Sequence, residues 1–569
     1  MISHPTLSPR HGCKFPLQIE QYKLCLSQPR SIASFPQMSS IMRTRSAEKG
    51  QAGAGLEHAS DHDQVVENLE KLGYKQELVR TRGLSHALFM TLSIMAVPYG
   101  LSAPIATSLI GGGPATIIWG WLHISILTLP LALSMGEICS KYPTAAGAYY
   151  WCYRLTPPRY RVLASWINGW LTMVGVWTIC LSVTFGTAQL VVAGVGIFHP
   201  DWAATPWQTY LIFVAVTAVT FVFVIFFNDF LPIIDMAAAF WTLLGIIIIL
   251  IGFSAKAAAG RRSAAFALGH FDPSSSGWKP GWTYFIGLLP PAYTYAAIGM
   301  IANMAEEVQD PSSQVPRAMV WSVPIGAVCG LVFLLPITFT LPDIPTLLAV
   351  PTGQPIGVMF ELIMGSRPGG FGMWFIIFGI GMFCAISICC AASRATWSFA
   401  RDKAIPFHHT FSQVNHTLSD VPMNAHILST MIQLLLGLIY LGSSAAFNAF
   451  VGVAVICLGT SYSMPVAISL VQGRKDMADA PYSLGKWGPA LNLIAVLWTT
   501  FEIVLFSMPA VIPVTKVSMN YASVVFVGFA AISAVWYIIN GRFHYTGPPL
   551  PNNGPEDDES KTEGEVQTL

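Results

Sequence analysis

Two stretches of the chain decide its fold: Met95-Ala-Val-Pro-Tyr-Gly-Leu-Ser-Ala-Pro104 and Leu289-Pro-Pro-Ala-Tyr-Thr-Tyr-Ala-Ala-Ile-Gly-Met300. Each stretch places proline and glycine in the middle of a long apolar segment. A backbone that leaves the helix inside lipid must satisfy its polar groups in another way, so a break is costly unless it lines a cavity. Proline and glycine also occur as simple kinks in transmembrane helices, but two such breaks favour a functional site over a kink.

The residues around these breaks are too apolar for a soluble protein of this size. Of the 569 residues, 53% are hydrophobic and only 10% are charged, whereas soluble domains spend about 25% of their residues on charge. The apolar residues form blocks near the ~20 residues that a helix needs to cross a bilayer. We therefore predict an all-α integral membrane protein with twelve transmembrane helices, at residues 86–111, 114–137, 164–198, 207–227, 233–254, 281–304, 317–341, 371–399, 424–442, 445–470, 488–510 and 520–540.

The two breaks fall in the first and the sixth predicted helix, which are corresponding members of two five-helix sets. Matched breaks of this kind are typical of inverted-repeat transporters that hold their solute near the middle of the membrane. An unwound turn leaves N–H groups that favour a carboxylate at the start of the second half-helix. It also leaves carbonyl groups that suit an ammonium. The pattern predicts a site for a zwitterionic amino acid or a cationic amine.

The predicted helices form one domain, residues 84–545, between two polar ends. Residues 1–83 lack the apolar core of a signal peptide, and residues 546–569 contain an acidic run, so we expect two mostly disordered tails. Whether the residues before Met42 belong to the native chain stays open. With the N-terminus in the cytosol, eleven Lys and Arg residues fall in the inside loops and six in the outside loops. This bias predicts that both termini are cytosolic.

The composition argues against several other functions. The net charge of +1 gives no reason to expect a nucleic-acid partner, because such proteins carry basic patches. The ten cysteines lie mostly in apolar segments, and the pair Cys389-Cys390 is interpreted as two buried apolar thiols rather than a metal or redox site. Neither a metal nor a cofactor is expected. Residues with catalytic spacing are not evident at a membrane face, so an enzyme is not expected either.

Three loop motifs lie on the predicted cytosolic face. The second helix ends in Met135-Gly-Glu-Ile-Cys-Ser-Lys-Tyr-Pro-Thr-Ala-Ala-Gly-Ala-Tyr-Tyr-Trp151. The sixth runs into Ala305-Glu-Glu-Val-Gln-Asp-Pro-Ser-Ser-Gln-Val-Pro-Arg317, and the eighth ends in Ser393-Arg-Ala-Thr-Trp-Ser-Phe-Ala-Arg-Asp-Lys-Ala-Ile-Pro-Phe407. Together they resemble the amino acid–polyamine–organocation superfamily, and most closely the fungal amino acid/choline permeases that include γ-aminobutyrate and choline carriers. The resemblance covers about residues 84–545.

The resemblance implies the leucine-transporter fold, with two inverted five-helix repeats and two additional helices. It also implies secondary transport of a small molecule by alternating access, usually coupled to protons. The membrane is expected to be the plasma membrane, with the vacuolar membrane as the alternative.

The resemblance further implies substrate-binding residues at both breaks. These residues are Tyr99, Gly100, Leu101, Ser102, Ala103, Ala297, Ile298 and Gly299. Tyr293 and Tyr295 stand where the family has aromatic gates, and they either stack on an ammonium or pack at a helix interface. The first break reads Tyr99-Gly-Leu where the superfamily commonly has Gly-x-Gly, which leaves the exact contacts of the substrate open.

Three further residues are candidates on their chemistry. Asn303 either binds substrate, caps the broken helix or packs within it. Asp235 and Glu502 are the ionisable residues nearest the apolar interior, and carboxylates buried in a membrane are functional candidates by default. We treat both as candidates for coupling transport to protons.

Acidic residues at the predicted cytosolic helix ends have simpler interpretations. Glu137, Glu306 and Glu307 are expected either to form an intracellular gate or to be solvated. Asp402, beside Arg401, is expected to hold loop structure.

The leading functional prediction is a proton symporter for amino acids or γ-aminobutyrate-like amines. A choline or quaternary amine permease on the same fold is the first alternative. A nutrient sensor that keeps the fold without transporting is the second.

Overall fold

The computed structural model describes residues 65–415, 420–442, 446–515 and 519–549. Within these ranges, twelve helices are long and apolar enough to cross a membrane, and β structure is limited to isolated bridges. The prediction of an all-α protein with twelve spans is confirmed. Residues 1–64, with Met42, and the acidic residues 556–559 lie outside the described ranges. The first to twelfth spans are Leu84–Ser102, Pro114–Lys141, Arg161–Phe198, Pro206–Phe226, Asn228–Lys256, Pro280–Glu307, Pro311–Phe339, Arg367–Arg401, Met423–Leu441, Ala446–Val471, Gly485–Leu505 and Ala522–His544.

The first span is two helices joined at a left-handed residue. The helix Leu84–Met95 ends at Ala96 (φ 43°, ψ 53°), and the helix Val97–Ser102 follows. Pro98 causes the break, because it has no N–H to donate to the carbonyl four residues earlier. A left-handed alanine costs about 1–2 kcal/mol, so the surrounding packing must hold it. The sequence predicted the break at Tyr99–Ala103. In the structure it lies just before these residues, at Ala96.

The sixth span breaks twice. Its helices Pro280–Ile286 and Leu289–Tyr295 flank a first kink at Gly287, and a second follows at residues 296–297. From there to Glu307 the chain continues as a ten-residue 3₁₀ helix. Such long 3₁₀ segments are uncommon, and they mark strain or a hinge.

Small residues let the two broken spans approach one another closely. A Cβ added at Gly100 would lie 2.5 Å from Thr294 Oγ1, so the second half of the first span lies directly against the sixth. Gly111 and Gly287 meet backbone to backbone, since a Cβ on Gly287 would lie 2.9 Å from the Gly111 Cα. Close backbone contact at small residues is a common way of packing helices in membranes.

The spans differ in how deeply they are buried. The most apolar window of the sixth span is 89% buried, whereas that of the twelfth is 11% buried. The sixth span is therefore central to the bundle, and the twelfth lies at its periphery.

Part of the expected N-terminal tail has a defined place on the bundle. The N–H groups of Thr81 and Arg82 donate to the Glu307 carbonyl at 3.1 and 3.0 Å, and Tyr74 is buried. We call the side of the bundle that holds residues 65–82 the N-terminal face. The polar composition of this segment did not predict these contacts. They depend on Glu307, which lies more than 200 residues further along the chain.

The Gly111–Gly287 contact predicts a specific loss of stability. We expect Gly287→Ala to lower the free energy of unfolding by about 1–3 kcal/mol, because the added methyl meets backbone that cannot rotate away. Gly372→Ala is the matched control, since a Cβ there meets nothing within 4 Å. Thermal unfolding of the detergent-solubilised variants measures the difference. Equal melting temperatures for the two variants would contradict the close approach.

Candidate functional site

A narrow cavity lies between the two broken spans. The first, third, sixth and eighth spans contribute to its walls. The lining residues used below are Tyr99, Gly100, Val183, Tyr293, Thr294, Ala297 and Cys384. We call this space the break cavity.

Two tyrosines of the break cavity are anchored to the third span. The Tyr99 hydroxyl donates to the Val183 carbonyl at 2.8 Å, and the Tyr293 hydroxyl lies 2.9 Å from Ser182 Oγ. Each ring is therefore held by its polar end, which leaves its aromatic surface as part of the cavity wall. A wall of this kind suits a solute that carries a positive charge.

The backbone carbonyl that Pro98 leaves without a partner is satisfied from the eighth span. Cys384 Sγ donates to the Ile94 carbonyl at 3.2 Å. The thiol is a weak donor, so this carbonyl keeps capacity for a stronger one, such as an ammonium. The helix Val97–Ser102 is only six residues long, and its dipole is correspondingly smaller than that of a full half-helix.

The structure brings together four of the predicted substrate-binding residues: Tyr99, Gly100, Tyr293 and Ala297 line the break cavity. The remaining residues of the first break, Leu101, Ser102 and Ala103, are buried beside it. The Ala103 carbonyl accepts a 2.7 Å hydrogen bond from Gln354 Nε2. Sequence analysis missed one residue of the cavity, Thr294. Its contact with Gly100 depends on how the two spans cross, which no local pattern shows.

Tyr295 and Ile298 line a different cavity, on the other side of the sixth span. Tyr295 stacks on Trp121 with ring centroids 4.8 Å apart, and its hydroxyl lies 2.9 Å from Ser125 Oγ. Residues two apart on a helix do not share a face, so Tyr293 and Tyr295 do not act on one solute together. Gly299 also lies on this side, against the ring of Tyr462.

The second cavity contains Glu502 and is narrow. Glu502 is buried, and Trp498 lines the same cavity. We call this space the Glu502 cavity.

Asn303 lies away from both cavities, near the N-terminal face. Its Nδ2 donates to the Ala145 carbonyl at 2.8 Å. The amide thereby ties the sixth span to the loop that follows the second span.

Asp235 belongs to a buried network of charges at the N-terminal face. Its Oδ2 lies 2.9 Å from Arg82 Nη1, and its Oδ1 accepts a 2.7 Å hydrogen bond from Ser387 Oγ. Glu307 pairs with Arg82 at 3.2 Å and with Arg394 at 2.8 Å. Two cations and two anions thus share a site that is almost closed to solvent, which is tolerable only because each charge is paired. We call Arg82, Asp235, Glu307 and Arg394 the buried ion network.

Two further ion pairs close the same face. Arg401 binds both carboxylate oxygens of Glu306 at 2.9 and 3.1 Å, and Arg474 binds both of Glu137 at 2.7 and 2.8 Å. Glu137, Glu306 and Glu307 are therefore buried in pairs and are not solvated. Of the two interpretations from sequence, the arrangement agrees with a gate.

Asp402 joins the N-terminal segment to the body of the protein. The hydroxyls of Tyr74 and Tyr149 each donate to its Oδ2 at 2.8 Å. Arg401 lies over the Tyr74 ring, 4.1 Å from its centroid. Asp402 thus holds loop structure, and it does so by fixing residues upstream of the first span.

The sequence as a whole matches a known family. The family model described as an amino acid permease matches residues 83–530, a range that contains both breaks and the buried ion network except Arg82. The chain belongs to this family. The resemblance drawn from its three loop motifs is confirmed.

Three relatives illustrate the range of solutes in the family. The amino-acid permease BAT1 of Arabidopsis thaliana is 32% identical over 84% of this chain and 95% of its own length. The choline transporter of Saccharomyces cerevisiae is 33% identical over 80% of this chain and 82% of its own length. The polyamine transporter TPO5 of the same yeast is 31% identical over 87% of this chain and 82% of its own length. The permease is thus a multi-pass membrane transporter of the amino acid and amine type, and it is not an enzyme.

The contacts of Asp402 predict how the stability of the permease depends on pH. Burial raises the pKa of Asp402 from 3.8 to about 6, although Arg401 and the two tyrosine hydroxyls act in the opposite direction. Between these two pH values the folded state then binds more protons than the unfolded state. The contribution of Asp402 to the free energy of unfolding is therefore fully present below pH 3.8 and is lost as the pH rises through 6.

We expect Asp402→Asn to remove this part of the pH dependence. Between about pH 4 and pH 7 the wild type should lose up to about 3 kcal/mol more stability than the variant. Unfolding of both proteins in detergent across that range measures the difference. If the free energies of unfolding of the two proteins changed with pH in the same way, Asp402 would not be the source of this pH dependence.

Proposed function

We propose that the permease is a secondary active transporter of amino acids or γ-aminobutyrate-like amines, with the solute held in the break cavity. The observation that carries the proposal is that Tyr99 and Gly100 of one break meet Tyr293 and Ala297 of the other around a single cavity. The aromatic walls and the weakly satisfied Ile94 carbonyl support an amine-bearing solute. The three relatives support the same class, because amino acids, choline and polyamines share a positively charged nitrogen.

Alternating access is proposed to operate at the N-terminal face. The buried ion network and the pairs of Glu306 and Glu137 join the second, fifth, sixth and eighth spans to Arg82, just before the first span, and to Arg474, just after the tenth. A path from the break cavity to this face requires these pairs to separate. Loops rich in Lys and Arg support a cytosolic position for this face and for both termini, in the plasma membrane.

Protons are proposed as the driving ion, with Asp235 as the first candidate to carry them. In the closed arrangement Arg82 neutralises Asp235 directly. When the segment that carries Arg82 moves away, a buried carboxylate remains without its partner and binds a proton more readily. Proton binding and opening of the N-terminal face would then favour one another. Glu502 is the second candidate, and among the described residues the lining of its cavity includes none of the four network members.

A choline or quaternary amine permease is the second candidate function. Tyr99 and Tyr293 present rings to the break cavity, and rings attract a quaternary ammonium that cannot donate hydrogen bonds. The identity of 33% to the yeast choline transporter supports the same alternative.

Uptake in a permease-deficient yeast tests the proposal. Radiolabelled γ-aminobutyrate, choline and a panel of amino acids would be supplied at pH 5 and pH 7.5, with and without an uncoupler. We expect saturable uptake of one amine-bearing solute, faster at pH 5 and abolished by the uncoupler. A permease that reaches the surface and takes up none of them contradicts the proposal.

The role of Asp235 predicts a separation between driven uptake and exchange. We expect Asp235→Asn to reduce uphill uptake at pH 5 at least tenfold, because the amide cannot carry a proton. Exchange of labelled for unlabelled solute in proteoliposomes should persist. Asp201→Asn is the control, since Asp201 is exposed in the loop after the third span. If Asp235→Asn retains uptake that the uncoupler abolishes, Asp235 does not carry the proton.

A further inference from the structure

An apolar groove lies between the third, tenth and twelfth spans, and it shares no lining residue with the break cavity or the Glu502 cavity. Its volume of about 420 Å³ is in the range of small-molecule sites. The groove follows the third span from Leu163 to Val174, a length of roughly 16 Å at the rise of an α-helix. This is about half of the ~30 Å hydrocarbon core of a bilayer. We call this space the outer groove.

The outer groove is open to the lipid and has aromatic walls. Leu163 at its edge is exposed, and the twelfth span is the least buried of the described spans. Trp166, Trp170 and Phe529 line it, and among the described residues the lining contains no charged side chain. Trp170 also packs on Phe399 near the end of the eighth span, which places the groove on the side of the N-terminal face. A hydrocarbon chain from the adjacent leaflet suits these walls.

One polar group of the outer groove lacks a partner. Trp170 is 8% exposed, and its indole N–H has no acceptor within the described part of the chain. Its neighbour Trp166 shows the contrast, because Nε1 there donates to Ser533 Oγ at 3.1 Å. A buried indole N–H usually finds a partner, and bare hydrocarbon offers none. The occupant is therefore expected to carry a hydrogen-bond acceptor as well as an apolar chain.

Positive charge lies at one end of the outer groove. Arg161 begins the third span, and its guanidinium lies over the Tyr153 ring, 5.0 Å from the centroid. The Tyr153 hydroxyl donates to the Thr546 carbonyl at 3.3 Å, so Arg161 lies near the end of the twelfth span, where Arg542 is exposed. In the described ranges, the recorded contacts of both arginines are with aromatic rings and not with carboxylates. Two cations are thus available to a ligand at this end.

We propose that the outer groove binds an anionic glycerophospholipid from the leaflet beside the N-terminal face. One acyl chain occupies the apolar walls, an ester carbonyl accepts the Trp170 N–H, and the headgroup lies against Arg161 and Arg542. Charge complementarity favours this occupant over a sterol, which has a single neutral hydroxyl. Basic residues beside grooves between transmembrane helices commonly bind anionic headgroups. The site goes beyond the proposed function, and it does not depend on which solute the permease carries.

Native mass spectrometry of the full-length permease in detergent tests this site without requiring transport. The probes are dioleoyl phosphatidylserine and dioleoyl phosphatidylcholine, which share their acyl chains and ester groups and differ in headgroup charge, with ergosterol as a third probe. We expect the wild type to bind phosphatidylserine at least about tenfold more tightly than phosphatidylcholine, because two arginines lie at the headgroup. Ergosterol should not displace phosphatidylserine.

A matched pair of variants on the twelfth span locates the lipid. Ala530 lines the outer groove, whereas Ala531 is the next residue and does not. Both alanines are exposed, so the fold should accept a larger side chain at either. We expect Ala530→Trp to fill the groove and to weaken phosphatidylserine binding at least about tenfold. Ala531→Trp should bind the lipid as the wild type does.

Three further variants separate the contacts of the chain from those of the headgroup. Trp170→Phe keeps a ring and removes the N–H, so it should weaken both phospholipids about fivefold and leave their ratio unchanged. The double variant Arg161→Gln/Arg542→Gln should lower phosphatidylserine binding to the level of phosphatidylcholine. Arg367→Gln is the control, because Arg367 begins the eighth span at the opposite end of the bundle and is half exposed.

Several results would overturn the proposal. Equal phosphatidylserine binding by Ala530→Trp and Ala531→Trp would place the lipid elsewhere, and equal binding of the two phospholipids by the wild type would remove the role of the arginines. Ergosterol that displaces phosphatidylserine from the wild type but not from Ala530→Trp would make the occupant a sterol. A dimer that Ala530→Trp dissociates, with lipid binding unchanged, would make it a second copy of the chain.

Discussion

A helix that breaks inside a membrane releases backbone carbonyls that water cannot reach, and the rest of the structure depends on satisfying them. Pro98 releases the Ile94 carbonyl, which receives Cys384 Sγ from the eighth span. In the sixth span, the second proline of the pair releases the Gly287 carbonyl, which receives the Ser108 hydroxyl at 2.8 Å. Each break is thus held by a side chain from a neighbouring element.

The buried charges of the permease must also find partners, because water cannot reach them. The buried ion network contains two cations and two anions, so it is neutral as a whole, and the loss of one partner leaves an uncompensated buried charge. Separation of Arg82 from Asp235 leaves an unpaired carboxylate that a proton can neutralise. Under the proposed proton coupling, the N-terminal face would have two electrically balanced arrangements, one paired with arginine and one with a proton, and such a pair of states is what a coupled transporter needs.

The sequence predicted the features that depend on neighbouring residues. Prolines and glycines marked both breaks, and apolar length marked all twelve spans. It did not predict the left-handed Ala96, since alanine rarely takes that conformation and only packing imposes it. Tyr293 and Tyr295 were assigned one role, but the local helix directs them to different cavities. Arg82 and Asp235 are 153 residues apart, so no local pattern could pair them.

The central claim is that the solute binds between the two breaks, and the reactivity of one native thiol tests it most directly. Cys384 lines the break cavity, whereas Cys329 is partly exposed on the seventh span. Alkylation of both by N-ethylmaleimide would be followed by mass spectrometry in proteoliposomes, with and without a solute that the permease takes up. We predict that saturating solute slows the reaction of Cys384 and leaves that of Cys329 unchanged. An unchanged rate at Cys384 during saturable uptake would place the solute elsewhere and contradict the account.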